Sequence, residues 1–320
     1  MTILRAGLLA AASFALLVSL PAAGQDSGQA EAGQQDAPAP DGDNIVVTGE
    51  RPTHREVSRQ ARDITDIRGG LRRRPLARIE DRLCPGVFGL KRSGAELLID
   101  RIRWNAERLD MWMADDADCT PNLIVGFVAD GQAAITQLER DQPWLFSSLS
   151  LPERRALLAE EGPVRVWTTA ETRTRDGMLI EQADGLTDPP VVQMAMAHSK
   201  IYLSTRQDII HVVVLFDLDE VRGKSIIQLA DYATMRGFAR TRPADGDAAL
   251  DTILALFDRD HEPPTGLTDF DQAYLRNLYE EIANLPAASK LLGVNGELDQ
   301  VLAEQAAAPT AAETAAGTRE

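Results

Sequence analysis

Apolar and polar positions along the chain sort into a small number of patterns. In "SGAELLIDRIRWNAERLDMWMADD" the apolar residues Leu97, Leu98, Ile102, Leu109 and Trp112 are separated by helix-forming polar residues, which predicts a long helix capped by Ser93. "NLIVGFVA" and "PVRVWTTAETR" are short continuous apolar or β-branched runs and predict strands. "VVQMAMAHSKIYLS" predicts two strands or one with a bend. "DIIHVVVLFD", β-branched and bounded by acidic residues, is the clearest strand in the chain. A helix is predicted from Lys224 to Arg240, stopped by Pro243, and two more over "DAALDTILALFD" and "TDFDQAYLRNLYEEI". The Arg-rich stretch Glu56 to Leu83 is mostly helix-compatible and breaks at "RGGLRRRP". Strands and helices mix without a regular βα alternation, so the expected class is α+β, and there is no internal repeat.

Both ends fall outside these patterns. Residues 1–24 carry one Arg, an apolar run and then "PAAG", with Ala22 and Gly24 small, as in a secretory signal peptide. The apolar core of about fifteen residues is short for a bilayer of roughly 30 Å, which favours cleavage over a membrane anchor. Residues 25–52 form a polar linker whose first part, Gln25 to Asn44, has too few large apolar side chains to offset its ordering entropy. Within the linker, "NIVVTG" at Asn44 to Gly49 resembles the TonB-box segment of TonB-dependent outer-membrane receptors. That implies docking by strand addition, although no receptor barrel follows. Residues 302–320 read as a disordered tail, which leaves a domain over 53–301 with an Arg-rich helical arm.

Charge and cysteines narrow the range of functions. A net charge of -16 argues against a nucleic-acid partner. Arg51 to Arg82 runs against that trend, with ten Arg and five acidic residues. It reads either as a patch for an anionic surface or as an arm whose Arg residues pair with an acidic body, and the second is preferred. Cys84 and Cys119 are the only cysteines, and behind an export signal they read as one disulfide. The expected location is periplasmic or secreted.

The stretch "LADYATMRGFAR" carries the most specific chemical pattern. A zinc-peptidase helix sets two His at i and i+4 on one face, with a Glu beside the first as general base. On that spacing Ala230 and Thr234 take the His positions, Asp231 the Glu position, Gly237 the turn glycine and Arg240 the third ligand. "TILALFD" and "LTDFDQAYLRNLY" follow at the order and distance of the later metzincin segments. The chain resembles a metzincin or related zincin-like metallopeptidase domain. The resemblance implies a mixed sheet, a central former active-site helix and C-terminal helices. None of the three ligand positions holds a His, Cys or carboxylate. Zinc sites contribute on the order of 10 kcal/mol, which neighbours cannot restore once all three ligands are gone, so no zinc and no other cofactor is expected.

Other residues offer less. His198, with Ser199 beside it, is the best substitute catalytic group, but adjacent strand residues face opposite ways and do not form a nucleophile–base pair. His211 lies within a strand, and His261 in "DRDHEPPTG" reads as a loop residue. "FDLDEVRGKS" resembles the tail of a P-loop, but Leu218 stands where a Gly is needed, and acidic residues occupy the phosphate cradle. Nucleotide is therefore not an expected ligand, and Ser225 reads as a helix cap. The acidic runs lack the Gly turn and distal Glu of a calcium loop. Trp104, Trp112, Trp144 and Trp167 read as packing residues.

The expected function is non-catalytic: an exported zincin-like protein binding a peptide or envelope protein along the helix face of Ala230, Asp231, Thr234 and Arg240. The alternative is a metal-independent hydrolase using Asp231 and His198.

Overall fold

The computed structural model describes residues 51–67, 70–115, 119–147, 149–180, 199–244, 248–280 and 282–316, with side chains as far as Ala307. The stretch read as a signal peptide, the linker up to residue 50 with its TonB-box-like segment, and all of "VVQMAMAH", which ends in His198, lie outside the described residues.

The first element among the described residues is α1 (His54–Ile64), opened by a Thr53–Glu56 capping box. Then come β1 (Ala77–Arg78), β2 (Pro85–Phe88), α2 (Arg92–Glu107) and β3 (Leu123–Val128). Two helices, α3 (Gly131–Asp141) and α4 (Leu151–Leu158), precede β4 (Val164–Thr174) and β5 (Thr205–Asp217). After these come α5 (Ile226–Phe238), α6 (Asp269–Glu280), α7 (Ala287–Leu292) and α8 (Val294–Ala316).

β5 is the centre of the sheet. β4 pairs with it antiparallel along its whole length, from Val164↔Phe216 to Thr174↔Thr205. Its other edge is shared by two parallel strands: β1 at Ala77↔Gln207, and β3 from Leu123↔Val212 to Val128↔Asp217. β2 lies parallel outside β3. The sheet is thus mixed, with helices on both faces. Val212, Val214 and Phe216 point into the main core with Leu229, Tyr232 and Phe238 of α5. Val213 and Leu215 point the other way, toward Ile135, Phe146 and Trp167. Both faces of β5 are covered, which is why its sequence is continuously apolar rather than alternating.

The mixed sheet, the central helix and the C-terminal helices agree with an α+β chain. Several local expectations are corrected. Ser93 lies inside the first turn of α2, whose N-cap is Lys91 with no side-chain bond. "DAALDTILALFD" forms only a 3-10 turn over Ile253–Ala255. There the Asp271 carboxylate takes the Thr252 hydroxyl at 2.6 Å and the Ile253 N–H at 2.7 Å, fixing a tight turn instead of a helix. α8 runs on to Ala316 along an Ala-rich sequence of high helix propensity. Ser225 does cap α5, in a capping box with Gln228.

Cys84 and Cys119 form a disulfide with their Cα atoms 6.2 Å apart, tying the start of β2 to the segment before β3. Among the described residues, no helix is long and apolar enough to cross a membrane.

Candidate functional site

α5 passes through the middle of the molecule, buried along its length from Leu229 to Phe238. Gly237 sets its distance from the sheet: a Cβ there would lie 2.6 Å from the Leu123 Cδ1 of β3. Gly237 therefore acts as a close-approach residue inside the helix, whose end follows at Phe238 with extended backbone at Ala239.

The face bearing Asp231 and Thr234 is closed by α2. The Asp231 carboxylate accepts from Arg101 Nε and Nη2, both at 2.7 Å, from Asn105 Nδ2 at 2.8 Å and from the Leu267 N–H at 2.9 Å. Asn105 Nδ2 also donates to Thr234 Oγ1 at 2.9 Å, and the Thr234 hydroxyl donates to the Ala230 carbonyl. Ala230, Asp231 and Thr234 are each 0 % exposed. The expectation that they line an open cleft is corrected: they form a filled helix–helix contact, and Asp231 has no free side on which to act as a base. Arg240 lies apart from them, past the helix end, with Nη2 2.8 Å from Asp66 Oδ2.

The three segments that carry the metallopeptidase resemblance are nevertheless joined by hydrogen bonds. Leu267 donates to Asp231 of α5. Asp271 at the start of α6 holds the 252–253 turn. Tyr279 at the end of α6 donates its hydroxyl to the Phe238 carbonyl at 2.8 Å, satisfying the C-terminus of α5.

A cavity of about 550 Å³ opens on a different side of α5. It is lined by Arg236 of α5, Val166 and Thr168 of β4, Glu153 of α4, Glu160, Asp66, and Arg240 and Arg242 beyond α5. Arg236 Nη1 donates to Oη of the buried Tyr232, its i−4 neighbour, at 3.0 Å. Arg236 is 7 % exposed, and its Nε has no acceptor among the described residues. Burial pushes the Glu160 carboxyl above its ordinary range, while Arg236 and Arg165 pull it the other way. Over residues 164–172 the outer edge of β4 pairs with no other strand among the described residues, the one bridge beyond β5 being Arg173 to Leu179.

Of the sequence candidates among the described residues, Arg240 borders this cavity and Ala230, Asp231 and Thr234 do not. The sequence reading missed Arg236. Its one signal was a charged residue four positions after Tyr232 in an otherwise apolar helix centre, "YATMRGF". His211 lies on β5, its ring 6.0 Å from that of Trp144, and His261 sits in an exposed loop 3.2 Å from Asp258. Among the described residues, no three His, Cys, Asp or Glu side chains are grouped so as to hold a metal ion. Comparison of the chain with protein-family models, with curated proteins and with solved structures returns no match.

Proposed function

We propose that this protein is an exported, non-catalytic binding module on a zincin-like scaffold, and that it takes an extended peptide or protein segment against β4. The observation that carries this reading is the cavity of about 550 Å³, lined by Arg236, beside the edge of β4 that over 164–172 pairs with no other strand among the described residues. An unpaired strand edge presents backbone N–H and C=O groups to which an extended segment adds as a further strand, while a pocket beneath the edge selects side chains. The cavity volume lies within the range of roughly 300–1,000 Å³ common to small-ligand pockets. The scaffold part rests on the hydrogen-bonded union of α5, the 252–253 turn and α6. On this reading the α5 side chain facing the cleft is Arg236, two positions along from Thr234, while Tyr232 is buried in the core behind it. A guanidinium does not hold zinc as an imidazole does, so the positive charge there belongs to the protein itself.

The disulfide and the apolar N-terminal segment support an oxidising, extracytoplasmic location. The test is a peptide-array screen with the purified chain, run beside peptidase assays and metal analysis. Binding of extended peptides without turnover is expected, and Val166→Pro, which alters the β4 edge, should weaken it. Peptide turnover, or stoichiometric zinc in the active preparation, would overturn the proposal.

A further inference from the structure

Resting on that reading of the cavity, we infer that Arg236 is the receptor for a carboxylate, supplied by an acidic side chain or by the C-terminus of the bound segment. A guanidinium stays ionised at any physiological pH, and burying it unpaired is costly. The other arginines around this site have anionic or carbonyl partners. Arg165 is held by Asp217 at 3.1 Å and by the Glu160 carbonyl, Arg240 by Asp66, and Arg242 donates to the Thr65 carbonyl. Arg236 differs: its anionic neighbour Glu160 acts on it through charge alone, with no hydrogen bond between them. Its Nη1 donates to Tyr232, and among the described residues neither Nε, which is buried, nor Nη2 has a protein acceptor.

The Nε–Nη2 edge is the one arginine uses for side-on, two-bond capture of a carboxylate. The same molecule shows the geometry elsewhere: Arg101 grips Asp231 through Nε and Nη2 at 2.7 Å each. The charges lining the cavity balance, with Asp66, Glu153 and Glu160 against Arg236, Arg240 and Arg242, and Asp66 already pairs with Arg240. A singly charged carboxylate therefore meets less repulsion from the acidic lining than a doubly charged phosphate would.

The experiment follows the Arg236 Nε–H resonance of the purified chain by ¹H–¹⁵N NMR while acetate, inorganic phosphate and short Val/Ala peptides are added. The peptides come in three forms: one with an internal Asp and an amidated end, one with a free C-terminus, and one fully neutral. The resonance should shift with acetate and with one of the two charged peptides, which identifies the source of the carboxylate. That peptide should bind at least tenfold more tightly than the neutral one, and Arg236→Gln should remove the preference. If Arg236→Gln does not fold, the wild-type resonance still decides. An unmoved resonance, an equal response to the neutral peptide, or a response to phosphate alone would each overturn the inference. A shift with acetate but with none of the peptides would retain the carboxylate site and remove the peptide reading.

Discussion

Replacing Asp231 by Asn tests whether α5 is a structural axle or an exposed working surface. The carboxylate is fully buried and accepts four hydrogen bonds, two of them from the Arg101 guanidinium, whose side chain is 25 % exposed. Asn keeps the shape but replaces one oxygen with an NH₂ group. That group must face Arg101 in either orientation, together with Asn105 Nδ2 or the Leu267 N–H, donor against donor. Removing one partner of a buried ion pair costs about 3–5 kcal/mol, and the partial exposure of Arg101 places this case near the lower end. For a domain of this size, about 3 kcal/mol corresponds to a fall in Tm of roughly 6–12 °C. Urea unfolding followed by tryptophan fluorescence would give the free energy, and calorimetry the Tm. Binding of a β4 peptide, measured well below the transition, should not change, because Asp231 does not reach the cavity. Pairing the substitution with Arg101→Met should recover part of the loss, since the stranded charge is removed too. Destabilisation under about 1 kcal/mol, or lost binding at unchanged stability, would refute the buried-clamp reasoning.

Asp271 gives a pH prediction of definite sign. Burial pushes its carboxyl up to about 6, against the pull of Thr252 and of the Ile253 and Thr268 N–H groups. Because the folded value lies above the unfolded one, its contribution to stability is full below about 4 and is lost as pH rises through about 6. Asp271→Asn resembles the protonated form, so its stability relative to wild type should improve between pH 4 and 7; a fall over that interval would contradict the assignment. Gly237→Ala, which forces a Cβ against Leu123, should destabilise by about 1–3 kcal/mol despite the better helix propensity of Ala, as read from chemical denaturation. The Cys84–Cys119 link closes a loop with a sequence separation of 35 residues, so the double Ser variant should lose about 4 kcal/mol on the chain-entropy estimate; unchanged unfolding in reductant would count against it.

Sequence alone determined the elements whose logic is local. β3, β4 and β5 were legible because β-branched runs bounded by turn residues have few alternatives, and α5 and α6 because their caps and apolar spacing agree. It failed at "DAALDTILALFD", where helical spacing gave way to the distant Asp271, which pins Thr252 and Ile253 into a tight turn. The site failed for a related reason. A helix pattern shows which residues share a face, but not which face meets an open space. Ala230 and Thr234 share a stripe, and only the position of α2, with Asn105 and Arg101 reaching across, closes that stripe. Among the described residues the side of α5 that borders a cavity beside β4 is the one that carries Arg236, and that follows from packing between elements more than fifty residues apart.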